Sequence, residues 1–347
     1  MTSRRSFLKT AGAVTAGVAA AATASTVTAA AKHDTAANRY KGPHEMPTKV
    51  TLLSMKNADG SETLGVKTAD GVIDVHKASK LLRIAAPITL EELLKGGNAS
   101  GLNKLVESAR SSHKAKSAIV DESTITHGRL FTNPGKIVCI GLNYRAHAAE
   151  ANEKVPSVPI LFNKYNNALA AHNCTIKLPP REVSYKFDYE TEMLIVIGKP
   201  ARNVSEADAL NYVAGYCTSQ DFSARDLQLE TPAVQWMVGK TLDNFGPIGP
   251  YFVSADLVGD ASNLKIETYV NGEVRQSTNT GMMIFNPQKL IAYISKMWTL
   301  EPGDIIWSGT PAGCIIGLPK DKQVWLKAGD EIRSSIEKLG DLRFKLA

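Results

Sequence analysis

From Lys49 onward the chain reads as short β-rich runs cut by turns. The stretch "KVTLLSMKNADGSETLGVKTADGVIDVHKA" alternates apolar and polar positions around the turn signals "NADGS" and "ADG", a pattern that predicts a small antiparallel meander. The period then changes. In "TLEELLKGG" and "LNKLVESARSS" the apolar residues recur at helical spacing and end on Gly or Ser, which predicts two helices. Residues 48–125 thus predict a small N-terminal domain. After "FTNPGK" the texture becomes a series of β-branched runs, "IVCIGLN", "EMLIVIGK", "YVAGYCTS", "IGPYFV", "KIETYVNG", "DIIWSGT" and "EIRSSIEKLG", interrupted by a few helical patterns such as "SEADALNYV" and "PQKLIAYISKM". Many strands without regular helical alternation predict an α+β, mostly β body over residues 134–347, rather than a doubly wound sheet.

The first 47 residues follow neither period. No charge occurs from Thr10 to Ala31, and the run ends in the small residues Ala29 to Ala31, as in a removable signal over residues 1–31. Arg4 and Arg5 stand side by side ahead of Phe7 and Leu8, so the segment resembles a twin-arginine signal. That resemblance implies a periplasmic protein cleaved near Ala31, with the twin-arginine translocase as a passing partner. An uncleaved membrane anchor is the alternative, since the run is long enough to span; Ala, Gly and Thr dominate it, without Leu or Ile, which weakens insertion. Residues 32–47 are polar, with Gly and Pro, and read as a linker.

Charge changes this picture little. The whole chain carries a formal +6, and removal of the signal lowers it to +3, because Arg4, Arg5 and Lys9 leave and no acid does. The remaining Lys and Arg form no block, which argues against a nucleic-acid surface and leaves a small anionic substrate compatible. Four separated cysteines, Cys139, Cys174, Cys217 and Cys314, make no zinc or haem motif. They read as buried thiols, with a disulfide open in an oxidising compartment.

The candidate chemistry is acidic. In "FDYETEMLIVIGK", Glu190 and Glu192 are two residues apart on a predicted strand, so both carboxylates face one way with Leu194 and Val196. Either they sit at a solvated strand end or, if drawn toward the core, they need a divalent cation to offset their repulsion. Asp221, at the end of "YVAGYCTSQD", would complete an all-oxygen set suited to Mg²⁺ or Mn²⁺ rather than zinc. Arg225 and Asp226 beside it read equally as a structural ion pair. In "GLNYRAHAAEANE", His147 and Glu150 lie three residues apart. On a helical turn the acid can hold one ring nitrogen and fix the tautomer, as a water-activating base requires; an exposed His with an incidental acid is the alternative. Lys164 and Lys240 sit in apolar company, either to meet a substrate carboxylate or developing charge or with the ammonium snorkelling to water. The turn "SGTPAG" could cradle a carboxylate with its backbone N–H groups and the Thr310 hydroxyl, or be an ordinary turn.

Taken in order, "GLNYRAHAAE", "LFNKYNNAL", "DYETEMLIVIGK", "QDFSARDLQ", "QWMVGKTLDNFGPIGP" and "GDIIWSGTPAG" resemble the fumarylacetoacetate hydrolase family over residues 134–347. The resemblance implies a mixed β-sandwich roll behind a small N-terminal domain, usually dimeric. Glu190, Glu192 and Asp221 would hold Mg²⁺ or Mn²⁺, His147 and Glu150 would activate water, and Lys240 would steady an oxyanion. Lys164, Thr310, Gly309 and Arg225 would contact the substrate. Gln220, Tyr165 and Ser308 depart from the family pattern without removing a ligand. The implied reaction is hydrolysis of a C–C bond in an acylpyruvate or related β-diketo acid. Isomerisation or decarboxylation of a 2-oxo or 2-hydroxydienoate acid is the alternative within the family, and an exported binding protein the alternative outside it.

Overall fold

The computed structural model describes residues 42–347, which lie in one unit spanning Thr35–Ala347. The segment expected to be a leader, and most of the one expected to be a linker, fall outside the described residues. Three strands, Thr51–Lys56, Glu62–Thr68 and Gly71–Asp74, form the antiparallel meander. Two helices follow. Leu90–Gly96 is capped by the Thr89 side chain at its start and by Gly97 in the left-handed region at its end; Ala99–Ser111 is capped by Asn98. Such side-chain and glycine caps satisfy the backbone groups that a helix leaves free at its ends.

The meander joins the body through hydrogen bonds. Strand Thr51–Lys56 pairs with Gly246–Ser254, and the sheet continues through Val213–Gln220, Thr191–Ile197, Ile305–Trp307 and Ile137–Gly141 to Ile160–Phe162. Residues 48–125 and 134–347 therefore share one main sheet of 11 strands among the described residues. A second sheet of five strands includes Lys265–Val270, Glu331–Ile336 and Gly340–Leu346. The last residues of the predicted linker are docked: His44 bonds the Leu94 carbonyl, and Glu45 bonds Gly97 and Ser100.

Strand Thr191–Ile197 is buried on both faces. Leu194 and Val196 enter the core beneath the N-terminal helices, whereas Met193, Ile195 and Ile197 pack toward the second sheet and the helix Pro287–Met297. This alternation follows from the two-residue period of a strand, and it fixes the direction of the glutamates that precede Leu194. One predicted helix is absent: "SEADALNYV" yields only a 3₁₀ turn, Ala209–Tyr212, because Val213 already enters a central strand. All four cysteines are free.

Candidate active site

Register brings the acids together. Thr191 pairs with Gln220 across the central strands, and one step further the Asp221 N–H donates to the Glu190 carbonyl at 2.9 Å. Directly opposed residues share a face, so Asp221 meets Glu190, with Glu192 two positions along. Ligand atoms of all three lie within 4.8 Å of one another, and each residue is at most 5% exposed. The solvated strand end considered from sequence is not what forms.

Three buried cations surround the acids. Lys240 Nζ lies 2.6 Å from Glu190 and 2.9 Å from Asp221. Arg225 reaches Glu190 at 2.6 Å and Asp188 at 2.8 Å; it pairs with these two rather than with Asp226. Burial alone would raise the Glu190 pKa, but Lys240 and Arg225 outweigh it and hold the group at about 2. Glu192 goes the other way, pushed well above the ordinary carboxylate range by burial and by the charges of Asp221 and Glu190. Both Asp221 oxygens touch ammonium groups as ion pairs, at 2.6 and 2.9 Å, yet at angles that leave them without a hydrogen-bond donor. A divalent cation fits this set: hard oxygen donors converge, and the buried carboxylates Asp188, Glu190, Glu192 and Asp221 outnumber the buried cations Lys164, Lys240 and Arg225.

His147 is buried, and its Nδ1 lies 2.7 Å from Glu150 Oε1. Both residues belong to the helix Arg145–Glu150, as the three-residue spacing requires. The second Glu150 oxygen accepts the Gly313 N–H at 2.8 Å. A cavity of about 520 Å³ opens on His147, Glu190, Arg225, Lys240 and Thr310, with Phe162, Trp236 and Trp325 among its walls. Phe162 and Trp236 meet edge to face at 5.6 Å.

Two substrate contacts expected from sequence are engaged elsewhere. Lys164 does not line this cavity; its ammonium is held by Asp221 and by the carbonyls of Lys240 and Phe245. The Gly309 N–H, expected to cradle substrate, donates to Glu192 at 2.6 Å. Gly309 adopts φ +94°, and a methyl group there would strike Asn143 Cβ, so the turn needs glycine to bring that N–H to Glu192. Thr310 lines the cavity, but its hydroxyl donates to the Thr191 carbonyl at 3.0 Å and accepts from Gln276 at 2.9 Å. Arg225 lines the cavity as well, while its guanidinium braces Asp188, Glu190 and Gln228.

Asp188 is a functional neighbour that the sequence reading passed over. Fully buried, it accepts from Arg225 and from the backbone N–H groups of Ile315 and Ile316, and so ties the loop after Thr310 to the acidic centre. The signal was present: Asp188, Glu190 and Glu192 continue one two-residue period.

Known proteins share this arrangement of chain. The mitochondrial oxaloacetate tautomerase of Xenopus laevis is 38% identical over 292 residues, 83% of this chain and 88% of its own. A fumarylacetoacetate hydrolase structure from Exiguobacterium antarcticum superposes with TM-score 0.65 at 29% identity, covering 86% of this chain and 99% of the other. A fumarylpyruvate hydrolase structure from Pseudomonas aeruginosa, in complex with Mn²⁺ and pyruvate, gives TM-score 0.56 at 28% identity, over 62% of this chain and 91% of the other. The Xenopus relative corrects the expected periplasmic location, since it is a mitochondrial protein; the twin-arginine pattern and the anchor alternative lie outside the described residues. Residues 136–347 match the model of the fumarylacetoacetate hydrolase C-terminal domain, and with the mostly β fold and these relatives the chain belongs to the fumarylacetoacetate hydrolase family.

Proposed function

We propose that the chain moves a proton on a small 2-oxo dicarboxylic acid, interconverting keto and enol forms of an oxaloacetate-like substrate. The observation that carries this reading is the His147–Glu150 pair at the wall of a cavity that also opens on Glu190 and Lys240. Glu190, Glu192 and Asp221 would hold Mg²⁺ or Mn²⁺, which when bound polarises the 2-oxo acid as a Lewis acid. Glu150 takes the Nδ1 side of the imidazole, so Nε2 is the nitrogen that receives the proton from the carbon beside the carbonyl and returns it to oxygen. Lys240 presents a fixed positive charge where the enolate oxygen develops, in a setting too dry to screen it. Phe162 and Trp236 keep water from one side. The reaction consumes no water and breaks no C–C bond. The Xenopus relative's name supports this choice.

Hydrolysis of an acylpyruvate is the second reading. It is favoured by the cavity, whose 520 Å³ exceeds what a four-carbon acid fills, and by the pyruvate in the Pseudomonas neighbour. In that case the same His147 nitrogen would deprotonate a water molecule. One experiment separates the two. Metal-loaded protein is mixed with enol-oxaloacetate and with an acylpyruvate panel while enol absorbance and pyruvate release are followed. Accelerated keto–enol exchange without cleavage supports the tautomerase. Pyruvate released from an acylpyruvate with no effect on enol-oxaloacetate overturns it in favour of the hydrolase. No turnover of any compound sinks both and leaves a binding protein.

A further inference from the structure

Glu150 has both oxygens committed, Oε1 to His147 Nδ1 at 2.7 Å and Oε2 to the Gly313 N–H at 2.8 Å. Its carboxylate lies against Gly317, the last residue of the 3₁₀ turn Ile315–Gly317. A methyl group at position 317 would sit 2.5 Å from Glu150 Cγ and 2.7 Å from Oε2, far inside van der Waals contact. Gly317 is not among the glycines with positive φ, so no backbone conformation demands glycine there; the close approach of Glu150 does. Gly313 differs, with φ +110° and the Arg275 carbonyl where a side chain would begin.

We infer that Gly317 is a positioning residue for His147: its missing side chain is the space in which the Glu150 carboxylate lies while it holds the imidazole. The inference rests on reading His147 as the proton-moving group, and adds what keeps that group in place. The surroundings decide which side would yield to an added methyl. The turn cannot recede, because the Ile315 and Ile316 N–H groups are bound to buried Asp188, at 2.9 and 3.1 Å, and Asp188 is locked to Arg225. Glu150 meets the site with the far end of a flexible side chain, so it is the partner that gives way, releasing His147 Nδ1 and the Gly313 N–H. Alanine at 317 therefore removes the orientation of His147 while leaving the fold intact, and it narrows the freedom of the unfolded chain.

A double-mutant cycle tests this with the metal-loaded enzyme and enol-oxaloacetate. Gly317→Ala is expected to lower kcat by roughly 10- to 100-fold, at or below the lower end of what a positioned acid–base group contributes because His147 itself remains, with KM and the unfolding midpoint little changed. In a Glu150→Ala background, where the space is already empty, the same substitution is expected to change kcat by less than about twofold, as coupled neighbours do. Wild-type kcat in Gly317→Ala, or an equal loss in both backgrounds, overturns the proposal. Full activity in Glu150→Ala alone overturns the reading of the dyad beneath it, and the two failures are thereby distinct. A crystal structure of Gly317→Ala is the second readout: Glu150 displaced from His147 supports the proposal, and Glu150 still bonded to Nδ1 sinks it.

Discussion

Two ionic clusters among the described residues are built on opposite terms. At the junction of the meander with the body, Lys67 pairs with Glu122 at 2.7 Å and bonds the Tyr251 hydroxyl at 2.6 Å, with its ammonium 4.4 Å from the ring centre. The Tyr251 hydroxyl donates in turn to Glu122. These side chains are 39% and 29% exposed at Lys67 and Glu122, so water completes what the partners leave. Burial pulls Glu122 upward, but its bonds from Lys67 and Tyr251 leave the pKa lowered. The central cluster is dry. Asp188, Glu190, Glu192 and Asp221 face Lys164, Lys240 and Arg225 with hardly any exposure, Glu192 is pushed well up, and Asp221 has no hydrogen-bond donor. A fold gains nothing in stability from buried charge left in excess. Self-satisfied charges at a joint are structure; an excess of buried acid directly behind a cavity wall formed in part by Glu190 marks chemistry.

Removing the excess should break the contrast most sharply. Glu192→Gln, or exhaustive chelation of the divalent metal, is expected to lower kcat by about 10³-fold or more, the several kcal/mol that a Lewis acid supplies. Activity untouched by both treatments would mean that the trio serves the fold alone. His147→Ala comes next, with an expected loss of ~10²-fold or more and metal affinity kept, checked by calorimetric titration with Mn²⁺. Equal losses of metal binding and rate would instead make His147 part of the metal site. Arg225→Lys keeps the charge but not the fork between Asp188 and Glu190; metal affinity should fall about tenfold, since groups that orient ligands act on that scale.

The junction should respond through stability only. Glu122→Gln is expected to cost at most about 1 kcal/mol, as half-exposed pairs do, with kcat within twofold of wild type; a large loss of rate would join the two clusters functionally. A further effect, on stability and confined to acid pH, belongs to His172, whose ring packs edge to face on His127 at 4.6 Å and accepts the Arg343 backbone N–H. Burial, then the charges of His127 and Arg343, lower its pKa to about 4, against about 6.5 in an unfolded chain. Between these values the unfolded state binds the extra proton, so stability is full above pH ~6.5 and falls as pH drops toward 4. In His172→Gln the unfolding midpoint should decline less over that window. An identical decline would remove His172 from the acid response.

Much of this was legible where one segment sufficed. The meander followed from its turns, the helix at Pro287–Met297 from its apolar spacing, and the direction shared by Glu190 and Glu192 from the period of a strand. The region "SEADALNYV" misled, because its helical spacing competes with a strand that begins at Val213 and is paired on both sides. The surroundings of Lys164 and Gly309 are hidden from the sequence for a related reason. Their chemical character was visible, but the partners that engage them, Asp221 and Glu192, are far away in the chain.

The sequence by itself determined which side chains could do chemistry and which neighbours along the chain would share a face, because backbone periodicity is local. Only the tertiary structure decided that Asp221 would stand opposite Glu190, that Glu150 would rest on Gly317, and that the Gly309 N–H would serve Glu192. Those encounters depend on sheet register and on where a distant loop is anchored, and no short-range pattern encodes either.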